Sequence, residues 1–313
     1  MPLDPQVKAL LEAAARSGRT PINHFPPAEA RVQFKEMRKP LLPPTPPIGV
    51  VMDVSVPGRH GAIPVRHYRP VGSNPNQVLP LLIYFHGGGW VVGDLESHDS
   101  LCRQLANGAE CAVIAVDYRM GPEHKFPAAV DDAEDVVRHV CARAPEFNVG
   151  ASRIALGGDS AGGNLASIVT MLCRDSGGPA IKHQLLIYPA TDMAMDRPSH
   201  FEFAEGYNLT RDLMLYFRGH YLHDTAQIKD WRASPLLAVD HTGLPPAHII
   251  TAGFDPLRDE GKAYADALAA AGVSVDYRCY EGMIHGFITM SGVIQMAYEA
   301  IADCAAGLKK QFN

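Results

Sequence analysis

Apolar runs of strand length alternate with helix-patterned stretches along most of this chain, and that alternation limits the fold more than any other feature. The runs Ala112 to Val116, Arg153 to Leu156, Gln184 to Tyr188, His248 to Ala252 and Val273 to Tyr280 are short and continuous. Segments 97–109, 127–142, 161–174, 259–271 and 292–311 carry apolar residues three or four apart, as one face of a helix requires. Strands joined through helices pair in parallel, so the pattern predicts a mostly parallel sheet flanked by helices. Before them, Val50 to Val56, Ile63 to Tyr68 and Leu81 to Phe85 are β-rich, with Pro57-Gly58 and Gly61 between the first two, and predict a small antiparallel start to the sheet.

Two stretches depart from the alternation. Residues 4–16 place Val7, Leu10, Leu11 and Ala14 at helical spacing, and the prolines between Lys39 and Gly49 then forbid a helix and predict a linker. Between Tyr188 and His248 the connection is too long for a loop and too aromatic for a solvated one, with Phe201, Phe203, Tyr207, Leu213, Met214, Tyr216, Phe217, Tyr221 and Trp231. It predicts helices inserted over the end of the sheet. The expected organisation is an N-terminal segment of helices and linker at 1–49, a core from 50–192 and 232–313, and an inserted segment at 193–231.

At 313 residues and 47% hydrophobic, the chain is long and apolar enough to bury one large core, which excludes disorder and disfavours two equal domains. A formal net charge of −6 without a Lys/Arg block argues against nucleic acid, since phosphate binding needs a basic footprint. Leu79 to Phe85, interrupted by Pro80, falls far short of the roughly 20 apolar residues a membrane span needs. The opening Met1-Pro2-Leu3-Asp4-Pro5 has no basic start or apolar region of signal-peptide type, so a cytoplasmic protein with a small-molecule partner is expected. The six cysteines show no Cys-x-x-Cys spacing and are expected to be reduced and mostly buried. His220 and His223 lack the glutamate of a His-Glu-x-x-His pattern, and no metal or cofactor is expected.

The sharpest motif is Gly157-Gly-Asp-Ser160-Ala-Gly-Gly-Asn164, between an apolar strand and a helical pattern. Gly158-x-Ser160-x-Gly162 in that context reads as a nucleophile elbow, in which small neighbours let a serine sit on a cramped turn with the helix N-terminus behind it. It lacks the Lys-Ser/Thr of a P-loop, and His86-Gly-Gly-Gly-Trp-Val-Val92 has valine where a dinucleotide fingerprint needs its third glycine. Consecutive glycines suit an oxyanion hole instead, with the amides of Gly88, Gly89 and Ala161 as donors and His86 as a structural residue holding the loop. A serine nucleophile then needs an acid and a base in the order Ser, acid, His. Asp255, first after a strand end, and His285, on the loop after the next strand, fit that order; Asp259 and Glu260 are expected to open a helix, and Asp276 lies within a strand pattern.

Together His86-Gly-Gly-Gly-Trp90, Gly158-Asp-Ser-Ala-Gly-Gly-Asn-Leu-Ala166, Asp255-Pro-Leu-Arg-Asp-Glu-Gly261 and His285-Gly-Phe287 resemble the hormone-sensitive-lipase-like family of microbial esterases, from about residue 79 to the end. Asp117 to Ala128 is similar to a further family signature, with Met120 and Gly121 departing from it. The resemblance implies an α/β-hydrolase core, a helical cap from the N-terminal helices and the insertion, no cofactor, and hydrolysis of carboxylic esters. The motifs and the resemblance together give the expectation of a serine carboxylesterase; an aromatic insertion closing its pocket favours short to medium acyl chains, with Tyr207, Leu213, Met214 and Phe217 as candidate pocket residues. An amidase or acyltransferase with the same triad, or a noncatalytic binding protein on this fold, are the alternatives. The oligomeric state stays open, a homodimer pairing the strand near Val273 to Tyr280 being the family-based guess.

Overall fold

The computed structural model describes residues 2–313. Eight strands, β1 (Val50–Gly58), β2 (Gly61–Arg69), β3 (Leu79–Phe85), β4 (Ala112–Val116), β5 (Val149–Asp159), β6 (His183–Ile187), β7 (Ala247–Phe254) and β8 (Val275–Ile284), form one sheet in the order β1-β2-β4-β3-β5-β6-β7-β8. Its helices are α1 (Pro5–Arg16), α2 (Pro27–Arg38), α3 (Leu95–Ala109), α4 (Ala128–Ala142), α5 (Ala161–Asp175), α6 (Pro198–Glu202), α7 (Arg211–Tyr221), α8 (Arg258–Ala270) and α9 (Met296–Phe312). The expected α/β architecture is present. Antiparallel pairing is confined to β1 with β2 and β2 with β4, so β3 does not belong to an antiparallel start. It lies parallel between β4 and β5 in the middle of the sheet.

That central place explains why β3 is apolar throughout. Leu81, Ile83 and Phe85 point into one core with α4, α5 and α8, while Leu82 and Tyr84 point into the other with α3 and α9. A strand covered on both faces cannot alternate with polar residues, and each such aliphatic side chain contributes about 1.5–3 kcal/mol by leaving water. The helix boundaries follow local chemistry. Asp94 caps α3 by accepting the Ser97 N–H at 2.8 Å, and Asp4 caps α1 by accepting the Gln6 N–H at 2.8 Å. The prolines after α2 permit one 3₁₀ turn at Lys39–Leu41 before the chain extends.

Helix α2, which has a weak apolar stripe, is the element sequence periodicity does not single out. Arg31 holds it to the sheet end, its Nε donating to the Val91 carbonyl at 2.8 Å and its Nη2 to the Gly121 carbonyl at 2.7 Å. In the insertion only α6 and α7 are α-helical, joined to the rest by turns. Phe201 is 59% exposed and covers nothing, with the Arg211 guanidinium over its ring, whereas Phe203 packs on Phe254 and Tyr207. No helix is long and apolar enough to cross a membrane among the described residues, and all six cysteines are free thiols.

One contact sets how closely α5 approaches the sheet. A Cβ at Gly162, inside the first turn of α5, would overlap the Phe85 carbonyl at the end of β3. Glycine to alanine within a helix ordinarily adds up to about 1 kcal/mol of stability. Here the sign reverses: Gly162→Ala should lower stability by about 2 kcal/mol or more, read as a fall in the urea midpoint, and an unchanged or higher midpoint would refute the close approach.

Candidate active site

Strand β5 ends at Asp159 and α5 begins at Ala161, leaving Ser160 alone at the corner with φ 56° and ψ −116°. Positive φ is costly for a residue with a side chain, so its neighbours must hold it there. The Ser160 N–H donates to Ile187 of β6 at 2.9 Å, and its carbonyl accepts from Asn164 at 3.0 Å and Ala190 at 3.2 Å. Gly158 and Gly162 face each other across the turn, where a Cβ on either would collide with backbone. The spacing of small residues around Ser160 thus has a steric cause.

Two loops bring their side chains to this corner. Asp255, fully buried just past β7, accepts the Leu257 N–H on Oδ1 at 2.8 Å, which leaves Oδ2 for His285 Nδ1 at 2.7 Å. His285 Nε2 lies 3.0 Å from Ser160 Oγ. A proton on Nδ1 facing the carboxylate leaves Nε2 free to accept from the serine hydroxyl. Asn208, in the insertion, donates to the His285 carbonyl at 2.9 Å. The rival acids lie elsewhere: Asp259 accepts the Ser199 N–H and pairs with Arg258, and Asp276 is exposed on β8.

The glycine loop after β3 faces the same corner. Gly88 has φ 129° and Gly89 φ 60°, both in the region that favours glycine. A Cβ at Gly88 would strike the Val92 carbonyl, and one at Gly89 would strike the Phe217 ring. Among the described residues the Gly88, Gly89 and Ala161 N–H groups donate to no acceptor of the chain. Donors left over beside a nucleophile can receive negative charge that develops on a substrate oxygen.

Asp159 holds this loop to the serine turn, a role that sequence reading does not assign although the residue adjoins the nucleophile. Its Oδ1 accepts the Gly87 N–H at 2.9 Å and the Tyr84 hydroxyl at 2.8 Å, and His98 Nε2 lies 3.2 Å away. Burial pushes its carboxyl up, but His98, Tyr84 and Gly87 outweigh that and hold it well below the usual carboxylate range. It is charged at neutral pH. His86 stays in the loop as expected of a structural residue, its Nδ1 2.8 Å from the Gly87 carbonyl and its ring stacked on Tyr118. Burial, with His98 adding to it, lowers His86 to about 4, so it is neutral at pH 7.

The candidate pocket residues divide. Met214 and Phe217 are buried with Val91, Val92, Leu209 and Leu257 above the glycine loop, and Leu213 packs against that cluster. Tyr207 packs instead on Phe203 and Phe254, on the Asp255 side. Glu260 does more than open α8. Its Oε1 accepts the Thr191 N–H at 2.6 Å, and its Oε2 lies 2.7 Å from His200 Nε2 of α6, both groups buried. Burial raises the Glu260 carboxyl, and the bond to His200 opposes that shift. Ser199 Oγ adds a bond to the Pro256 carbonyl at 2.6 Å. The only hint of this clasp in the sequence is an acid so near Asp255. No three His, Cys, Asp or Glu side chains group as a metal site would need among the described residues. His220 lies on α7 against Tyr216, and His223 lies past its end.

Known proteins resemble this chain over much of its length. The family model for the alpha/beta hydrolase fold matches residues 82–289. The carboxylic ester hydrolase LipN of Mycobacterium tuberculosis is 48% identical over 255 residues, covering 79% of this chain and 67% of that protein. Ethyl acetate hydrolase of Pseudomonas putida is 37% identical over 316 residues, 99% of each chain. Among solved structures, the ester-hydrolase EH1AB1 from the metagenome of Lake Arreo is 43% identical with a TM-score of 0.96 over 99% of both chains.

The anchoring by Asp159 is testable. Asp159→Asn keeps the shape but gives up the charge that holds the Gly87 N–H and Tyr84 hydroxyl together. Turnover of p-nitrophenyl acetate should fall about 10- to 100-fold in kcat with KM changing less, because the loop donors act as charge develops. A rise in KM alone, with kcat kept, would count against this role.

Proposed function

This chain belongs to the hormone-sensitive-lipase-like family within the alpha/beta hydrolase fold and is a carboxylic ester hydrolase; on that premise we propose that Ser160, His285 and Asp255 perform the hydrolysis. The observation that carries the assignment is the continuous relay from Asp255 Oδ2 through His285 to Ser160 Oγ, at 2.7 and 3.0 Å, beside three uncommitted backbone donors.

Ser160 Oγ attacks the ester carbonyl carbon while His285 Nε2 takes its proton. The carbonyl oxygen becomes an oxyanion held by the Gly88, Gly89 and Ala161 N–H groups, with the N-terminus of α5 adding positive potential. Asp255 keeps the imidazole oriented and stabilises its charged form. The intermediate collapses as the C–O bond to the alcohol breaks and His285 returns the proton to the leaving oxygen. Water, deprotonated by the same His285, then attacks the acyl group on Ser160, and the acid leaves with Ser160 Oγ reprotonated.

Residues 1–49 and 193–231 act as a cap over this site, and the core comprises 50–192 and 232–313. The support is the apolar cluster they share over the glycine loop, with Ile22 and Ala30 from one segment and Met195, Leu209, Met214 and Phe217 from the other. Phe217 against Gly89 narrows the approach to the oxyanion donors. A long acyl chain would have to displace side chains already packed together, so short to medium acyl esters are the preferred substrates.

Ser160→Ala and His285→Ala should each lower kcat by about 10⁴-fold or more, and Asp255→Asn by about 10²-fold or more, with circular dichroism unchanged. An organophosphate should add its mass to the Ser160 peptide of the wild type and not to the Ser160→Ala protein; a label on another residue would refute the assignment. For the cap, Phe217→Ala and Leu213→Ala should move the optimum among p-nitrophenyl esters toward longer chains. An unchanged chain-length profile in both variants would mean these side chains pack the cap without gating the site.

A further inference from the structure

Arg31 and Arg38 lie two turns apart on α2 and differ in one respect. Arg31 spends its donors on two carbonyls and on Glu123. Arg38 is 9% exposed, and its Nε is sealed off without an acceptor. Neither terminal nitrogen forms a hydrogen bond or ion pair with any group of the chain among the described residues; the guanidinium lies over the Phe34 ring, 5.4 Å from its centre. Burial lowers the pKa of Arg38, while Tyr188 and Asp159 oppose the shift. An arginine so placed keeps its charge, and a buried charge without acceptors is costly unless something binds it.

Its location gives the cost a purpose. A Cβ built on Gly286, the residue after His285, would lie 3.5 Å from Arg38 Nη1 and 3.4 Å from Asn208 Nδ2. The guanidinium therefore sits against the loop that carries His285. Tyr188 has its ring centre 4.6 Å from that of His285, and its buried hydroxyl also lacks a partner. An unpartnered cation thus stands against the loop of the imidazole that protonates the leaving group, while the Tyr188 ring packs on that imidazole from the core. The acyl part of the substrate is bonded to Ser160, whereas the alcohol oxygen takes its proton from His285, so the alcohol is the half of the ester nearer the His285 loop that Arg38 adjoins.

We propose that the terminal nitrogens of Arg38 bind a carboxylate on the alcohol portion of the ester, so that O-acylated hydroxy acids are preferred substrates. The proposal rests on the triad reading above. Arginine suits it because its planar fork can hold both oxygens of a carboxylate. The reaction remains a hydrolysis: the ester C–O bond breaks, the hydroxy acid takes its proton from His285, and water completes the released acid.

The test compares O-acetyl-lactate with O-acetyl-lactamide, which differ in charge and little in shape. The wild type should favour the carboxylate in kcat/KM by about tenfold or more, the worth of a charge-assisted hydrogen bond. That ratio should fall to about one in Arg38→Met and recover in part in Arg38→Lys, since a charge without a fork restores only part of the interaction. Hydrolysis of both by the wild type without preference for the carboxylate would overturn the proposal and leave the esterase reading intact; failure to hydrolyse these or p-nitrophenyl acetate would overturn both. Should the variants not fold, the wild type decides alone. Free lactate should inhibit p-nitrophenyl acetate hydrolysis competitively and at least about tenfold more tightly than lactamide. Equal inhibition by the two, or noncompetitive inhibition by lactate as from an anion bound elsewhere, would overturn it.

Discussion

The site depends on one buried carboxylate. Asp159 terminates β5, one residue before Ser160, and its oxygens gather the Gly87 amide, the Tyr84 hydroxyl and His98 from the loop after β3, β3 itself and α3. A lone charge at this depth would be strongly disfavoured, and only several donors together keep it ionised. Those donors belong to the parts that meet at Ser160: strand β3 beside β5, the glycine loop that follows β3, and helix α3. Satisfying the charge and building the site are therefore one structural requirement.

Around that centre, polar contacts of the surrounding segments converge on the same loops. Arg31 reaches from α2 to the carbonyls of Val91 and Gly121, and Gly121 donates in turn to the Trp90 carbonyl, so the N-terminal segment braces the glycine loop from outside. Trp90 stacks flat on Tyr221 at the end of α7, 4.4 Å between ring centres. From the other side, Asn208 holds the carbonyl of His285. The glycine loop and the loop of His285 are thus supported from both covering segments, which is how loop residues acquire the fixed geometry that strands would otherwise supply.

Much of this could be read along the chain because the causes are local. Continuous apolar runs mark strands covered on both faces, and the small residues around Ser160 mark a corner that larger ones could not turn. Asp255 and His285 could be placed because each follows a strand end, and side chains there reach the same edge of a parallel sheet. What was not legible depends on distant partners. The pairing of β3 between β4 and β5 is a matter of crossover, and the apolar content of Leu79 to Phe85 is the same whichever neighbours it has. Arg31 and Arg38 are indistinguishable as letters in one weakly amphipathic helix, and only the folded chain shows that one is satisfied and the other is not. Phe201 and Phe217 show the same limit, since both are aromatics of the insertion but one faces solvent and the other covers Gly89.

The bonds from α6 to the loop of Asp255 have a consequence for how such a protein can change. His200 and Ser199 arise in the inserted segment, yet their partners Glu260, Pro256 and Asp259 follow closely on Asp255. Residues some sixty positions apart are therefore bound by mutual dependence. An insertion without groups equivalent to Ser199 and His200 would leave the buried Glu260 without its partner. This insertion is therefore not an interchangeable part: a replacement has to bring matching groups for the stretch that begins at Asp255.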